Sequence, residues 1–118
     1  MNRNRLFIVA AILVVFVAVG GALIYSNSHK GQNVTFNLTV TNASSMSPSS
    51  LSAHVNDMIT INVKSDTDGE VHLHVYDIHF DTKAGQTVTH TFKADKTCGC
   101  DIEWESTSTP LGSLTVSP

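Results

Sequence analysis

The stretch Asn33–Thr41, NVTFNLTVT, shows the alternation that runs through most of the chain. Its apolar side chains are Val34, Phe36, Leu38 and Val40, with polar side chains between them. Because successive side chains of a strand point to opposite faces, this pattern predicts a strand with one buried face.

The same alternation recurs in short segments separated by turn signals. These segments lie around residues 51–55, 59–63, 71–76, 78–80, 88–92, 100–105 and 111–116. Asn42–Ser50 is rich in serine and predicts a loop, and Ser65–Gly69 predicts a turn. Seven or eight short strands, without helical periodicity after Tyr25, predict an all-β sandwich or barrel.

An uncharged apolar segment, Leu6–Tyr25, lies near the start of the 118-residue chain. A membrane-spanning helix needs about 20 such residues, so we predict an uncleaved transmembrane anchor at 6–25. Arg3 and Arg5 precede it, which places a tail of residues 1–5 in the cytoplasm and the rest of the chain on the extracytoplasmic side. A cleaved signal peptide is the alternative, and its apolar core is usually shorter.

The remaining residues predict a linker at 26–32 and one domain at 33–118. All ten acidic residues lie at or after Asp57, against four lysines after residue 30, a net charge of −6. This balance argues against nucleic acid as a partner and favours a cation. The chain shows no Ser/His/Asp set and no phosphate-binding glycine loop, so we do not expect an enzyme.

Four segments carry a resemblance to a known family. They are SDTDGEVHLHVYD (65–77), AGQTVTHTFKA (84–94), ADKTCGCDIEWES (94–106) and LGSLTVSP (111–118). Together they resemble the small membrane-tethered or secreted cupredoxin-like domains of prokaryotes, over about residues 34–118. The resemblance implies a Greek-key β-sandwich of the cupredoxin type.

The resemblance does not by itself imply blue-copper chemistry, because function depends on the site. A blue-copper centre needs two His, one Cys and a weak axial ligand, usually Met. The segment Gly99–Pro110, where the family would carry the later ligands, contains neither His nor Met. A standard type 1 copper site is therefore not expected.

His72 and His74 are two residues apart on a predicted strand, so both side chains leave the same face and can approach one metal ion. The alternative is that both are simply polar residues on a solvent-exposed face. In the resembling family this H-x-H is part of the characteristic pattern. His54, His79 and His90 stand alone in the sequence, as does His29 in the linker, and are assigned no ligand role.

Cys98 and Cys100 are the only cysteines. Outside the cytoplasm they would form a disulfide, and the tight ring of such a bridge favours a labile or redox-active bond. Reduced, the pair is a soft ligand set suited to Cu(I) or Zn. Met46 would add a thioether ligand, or else pack as a loop residue on the rim of the sandwich.

Three hypotheses follow. The first is a membrane-anchored domain that binds copper or another soft metal through His72 and His74, with Cys98, Cys100 and Met46 as further ligands, for metal handling without a blue site. The second is a metal-free structural or protein-interaction module. The third is a redox role for the two cysteines.

Overall fold

The computed structural model describes residues 30–118, which form nine strands in two sheets. The strands are β1 (Asn33–Thr41), β2 (Ser45–Ser47), β3 (Ser50–His54), β4 (Met58–Ser65), β5 (Gly69–Leu73), β6 (Ile78–Thr82), β7 (Thr87–Lys93), β8 (Cys98–Trp104) and β9 (Thr109–Ser117). A short 3-10 turn, Glu105–Thr107, joins β8 to β9. The all-β prediction is confirmed.

The predicted tail at 1–5, the anchor at 6–25 and the first part of the linker lie outside the described residues. Within residues 30–118, no helix has the length and apolar character needed to cross a membrane.

The four-stranded sheet has the order β2-β1-β4-β7, and the five-stranded sheet has the order β3-β9-β8-β5-β6. Each sheet contains one parallel pair, β1 with β4 and β3 with β9, and its other pairs are antiparallel. The strands of a parallel pair are not joined by a hairpin, so the chain passes between the sheets to form them.

The core lies between the sheets and consists of the inward-facing apolar side chains. In β4, for example, Ile59, Ile61 and Val63 are fully buried, while the residues between them face outward. Each such side chain contributes roughly 1.5–3 kcal/mol by leaving water. The alternation in the sequence thus decides which residues form the core.

Two local expectations were wrong. The predicted loop at 42–50 contains the short strand β2, in which Met46 is 7% exposed and belongs to the core. The predicted strand at 71–76 ends at Leu73, and Val75 is 53% exposed with a positive φ of 76°. Because Leu73 pairs with Ile78, the chain must reverse within residues 74–77, and Val75 falls in that turn.

Candidate metal centre

The outer face of the five-stranded sheet carries most of the histidines and acids of the domain. On β5, Val71 and Leu73 point into the core, so Glu70 and His72 point outward. On β6, Phe80 is buried and His79 is exposed. We call this outer face, with the turn at 74–77 and Glu105 at its rim, the acidic face.

The hairpin register brings two histidines together. His72 and His79 are direct partners across the antiparallel β5–β6 pair. Their rings stack with centroids 4.3 Å apart and an angle of 10° between the planes. The two side chains are seven positions apart in sequence, but the turn at 74–77 makes them neighbours.

Asp77 completes a cluster with these two residues. Its Oδ1 atom lies 2.8 Å from His72 Nε2 and 3.0 Å from His79 Nε2. The ligand atoms that His72, Asp77 and His79 offer all lie within 4.8 Å of one another, a spacing at which one metal ion can contact all three. We call these three residues the histidine–aspartate cluster.

Each histidine of the cluster has a second carboxylate on its other ring nitrogen. Nδ1 of His79 contacts Oε2 of Glu70. Nδ1 of His72 lies 3.2 Å from Oε1 of Glu105, yet it is buried and the two atoms are not aligned as a hydrogen bond. Of the two Nδ1 atoms, that of His79 therefore has a carboxylate acceptor, and that of His72 is buried without one although Glu105 lies close by.

His74 stands beside the cluster. Its ring centroid is 4.3 Å from that of His72, with the planes tilted by 54°. Its Nε2 atom lies 2.9 Å from Oε1 of Glu103, so this nitrogen is engaged by a carboxylate of β8 rather than by Asp77. The structure therefore groups His72 with His79, and the sequence had paired it with His74.

The cysteines lie on the other face of the same sheet. Cys98 and Cys100 form a disulfide with their Cα atoms 5.3 Å apart. Cys100 is fully buried in the core, whereas Glu103, on the opposite parity of β8, pairs with His72. The fold does not bring the cysteines to the histidines, and as a disulfide they offer no thiolate. A ligand role for them stays a prediction that requires reduction.

Met46 lies in the core and not on the acidic face. It sits on β2 in the other sheet, and its side chain packs in the core against Gly112. A Cβ atom at Gly112 would come within 2.8 Å of its terminal methyl group. Met46 is thus a packing residue of the core on a strand, where the sequence alternative had a loop residue on the rim, and a ligand role for it stays a prediction.

The electrostatics of the cluster follow from these contacts. The hydrogen bonds from His72 and then from His79 lower the pKa of Asp77 below its ordinary value. The hydrogen bond to Glu70, with a smaller contribution from Asp77, raises the pKa of His79 above 6.5. Without a metal ion, the cluster therefore favours a carboxylate next to a protonated imidazole.

Sequence reasoning did not identify Asp77 and His79 as residues that join His72 in one site. The sequence from Glu70 to His79 contains the pattern that could have revealed the site. If it is folded as a hairpin, His72 on one strand lies opposite His79 on the other. That pairing follows only if the turn is placed at 74–77. Because Val75 continues the apolar alternation of Val71 and Leu73, the sequence predicted a strand there instead of a turn.

The comparisons with known proteins concern the fold. No protein-family model and no curated protein matches the sequence. A copper binding protein solved in the apo form is similar over 70% of this chain and 87% of that chain, with 9% identity and a TM-score of 0.56. A chain of a heme-copper terminal oxidase dimer is similar over 98% of both chains, with 11% identity and a TM-score of 0.59.

The fold is cupredoxin-like. The laccase from Botrytis aclada also contains it, with 15% identity and a TM-score of 0.60 over 80% of this chain. The cupredoxin-like domain described here spans only 24% of that laccase chain. At these identities the likeness shows a shared fold, and the chemistry must come from the residues of this chain.

Proposed function

We propose that this chain is a membrane-anchored, extracytoplasmic cupredoxin-like domain that binds copper at the histidine–aspartate cluster for metal handling. His72, Asp77 and His79 supply two imidazole nitrogens and one carboxylate oxygen. The anchor and the location rest on the apolar segment 6–25 and on the arginines before it.

One observation supports metal binding most directly. In both histidines one ring nitrogen faces Asp77 and the other faces a glutamate, Glu70 or Glu105. Metal-bound histidines commonly donate their second N–H to a carboxylate, which fixes the tautomer and makes the ligating nitrogen more basic. The cluster carries this arrangement at His79 with Glu70, and at His72 the Glu105 carboxylate lies 3.2 Å from Nδ1 without forming the hydrogen bond.

The donor set favours the divalent ion. Imidazole and carboxylate ligands suit Cu(II), and Cu(II) binds most strongly among the divalent first-row metals. Cu(I) prefers thiolate and thioether ligands, and Cys98, Cys100 and Met46 lie elsewhere in the fold. A site without thiolate does not give the intense blue band, so the bound copper would be of a non-blue type.

The proposed role is binding and not catalysis. Some structural neighbours are oxidases, but their similarity to this chain lies in the fold. Asp77 and His79 are open to solvent, with 77% and 47% of their side chains exposed. An exposed site on the surface of a sheet suits the capture and release of an ion at the outer surface of a membrane.

A metal-free structural or protein-interaction module is the second candidate, and one observation favours it. The histidines already form ion pairs with Asp77, Glu70 and Glu103. Such a network can hold the β5–β6 hairpin without a metal ion.

A redox role for Cys98 and Cys100 is the third candidate, supported by their disulfide. Two free thiols in protein isolated without reductant would contradict it.

A Cu(II) titration of the full-length chain tests the proposal against these alternatives. We expect one copper ion per chain, and we expect His79→Ala to lose more affinity than the roughly 10–100-fold that removal of an outer carboxylate costs. His90→Ala is the matched control, because His90 lies on β7 of the other sheet and its ring contacts the buried Phe80 and no member of the cluster. Unchanged binding in His79→Ala would exclude the cluster.

His74→Ala separates the cluster from the pair that the sequence suggested. If His72 and His79 are the ligands, His74→Ala keeps most of the affinity, since its Nε2 is engaged by Glu103. A loss as large as that of His79→Ala would make His74 a ligand. If the wild-type chain binds no copper, the metal-free module becomes the better interpretation.

A further inference from the structure

We propose that Tyr76 is a positioning residue of the metal site, whose hydroxyl group fixes the turn that presents Asp77. This inference rests on the proposed copper site. It concerns the loop between β7 and β8, which carries no ligand of the cluster and has no other assigned role.

Asp77 is the ligand that most needs external support. His72 and His79 are held on paired strands, but Asp77 lies in the turn at 74–77 and is 77% exposed. Both Val75 and Asp77 have positive φ values, 76° and 56°. L-residues avoid this conformation, and a β-branched residue such as Val75 avoids it most. The turn therefore requires contacts with the rest of the domain.

Tyr76 makes those contacts at the tip of the turn. Its hydroxyl donates to the carbonyl oxygen of Lys96 at 2.6 Å and accepts from the amide of the same residue at 3.2 Å. Its ring packs against Phe92, with centroids 4.9 Å apart, and the Lys96 ammonium lies 4.4 Å from the ring centroid. Two backbone groups of one residue thus hold one side chain of the turn.

The other end of the turn is held separately. The amide of His74 donates to the carbonyl oxygen of Asp101 on β8 at 2.9 Å. Asp77 follows Tyr76 directly, so a shift of the tip carries the carboxylate with it. A shift of about 1 Å would take Oδ1 out of the normal hydrogen-bond range of both histidines.

Tyr76→Phe tests this role, because it removes both hydrogen bonds and keeps the ring. We expect a loss of Cu(II) affinity of roughly two- to tenfold, which corresponds to the net contribution of an ordinary hydrogen bond. Asp77→Ala should lose more. If Tyr76 acts through Asp77, the double variant Tyr76→Phe/Asp77→Ala binds no more weakly than Asp77→Ala alone.

The electron paramagnetic resonance spectrum of bound Cu(II) gives a readout that a loss of stability would not move. Tyr76→Phe should shift it towards the spectrum of Asp77→Ala. Thr60→Val, which removes a hydroxyl from the other sheet, should leave it unchanged. Lys96→Pro removes the amide that donates to Tyr76 and keeps the carbonyl oxygen, so it should shift the spectrum in the same direction as Tyr76→Phe but less far.

Wild-type affinity and spectrum in Tyr76→Phe would overturn the inference and leave the copper site standing. Losses that multiply in the double variant would also overturn it, since they would mean that Tyr76 acts independently of Asp77. Absence of copper binding in the wild-type chain would remove the proposed function itself, and the inference with it.

Discussion

The two outer faces of this sandwich are built by the same alternation and have opposite chemistry. On the acidic face, histidines lie next to aspartates and glutamates. On the four-stranded sheet, the outward residues of β1, β4 and β7 are mainly threonine and asparagine: Thr35, Asn37, Thr39, Thr41, Thr60, Asn62, Thr87, Thr89 and Thr91. We call the latter the hydroxyl face.

Side chains of the hydroxyl face form hydrogen bonds with one another. Thr60 and Thr91 share a hydrogen bond of 3.0 Å, and Asn62 bonds both to Asn37 at 2.8 Å and to Thr89 at 2.5 Å. Hydroxyl and amide groups can both donate and accept, so neighbours on adjacent strands pair without charge. Such pairs stabilise a sheet modestly and have little attraction for an ion.

The side chains of the acidic face cannot pair as uncharged groups in this way. An imidazole and a carboxylate are bridged either by a proton or by a metal ion that takes the place of that proton. Polar residues at outward positions thus differ in chemistry between the two sheets although the same alternation places them there. One face pairs neighbouring strands through hydroxyl and amide groups, and the other carries the side chains that we propose as exchangeable metal ligands.

Among the substitutions that compare the two faces, Glu70→Gln is expected to change Cu(II) affinity the most. The amide no longer offers His79 a charged acceptor, so we expect a loss of Cu(II) affinity of roughly 10–100-fold by competition titration with a chelator. Glu103→Gln, whose contact is with His74, is the matched control. Equal losses in the two variants would mean that the face acts through its total charge and not through the cluster.

Protons should compete with copper at the cluster. The pKa of His79 lies above 6.5, so copper affinity falls as the pH drops through that pKa, by up to about tenfold per pH unit if one proton is displaced. Titrations at several pH values check this. An affinity that stays constant below pH 6 would show that His79 is not a ligand.

The stability of the metal-free protein should also depend on pH, and near the pKa of His79 it should fall as the pH rises, whereas copper affinity increases. A raised pKa of His79 contributes stability below 6.5 that is lost as the pH rises through the folded-state pKa. A lowered pKa of Asp77 contributes stability above 3.8 that is lost as the pH falls through its folded-state pKa. Between pH 3.8 and 6.5, both Asp77 and His79 therefore contribute their full stabilisation to the metal-free protein. Copper affinity instead continues to increase above pH 6.5.

Thr60→Val gives the smallest expected effect and acts on the other face. It removes one exposed hydrogen bond, to Thr91, and should lower the free energy of unfolding by about 0.5–1 kcal/mol while copper affinity stays unchanged. Urea denaturation measures the first quantity. In the double variant with Thr91→Val the two losses should not add, and full additivity would mean that the pair does not interact.

Much of the fold was predictable from local pattern. The alternation in Asn33–Thr41 and its repeats located eight of the nine strands and separated core from surface. The strand β2 was missed because three residues with one apolar member, Met46, are too short to show a period. The end of β5 was missed because Val75 continued the apolar parity into a turn.

The candidate site was predictable only in part. His72 was singled out from its spacing to His74, and the structure places it in the cluster. Cys98 and Cys100 share the inward parity of β8 with Ile102 and Trp104, a relation that the burial pattern makes plain. The sequence analysis considered the two cysteines for their chemistry, as a disulfide or as soft ligands.

The sequence by itself determined which side chains face the core and which face outward, because parity along a strand is a local property. It also determined the acidic balance and the apolar segment at 6–25. Only the tertiary structure decided which outward side chains meet. His79 reaches His72, and Glu103 reaches His74, through the pairing of β5 with β6 and β8. That register depends on turn geometry and on packing between distant segments, and neither is written in any single stretch of the chain.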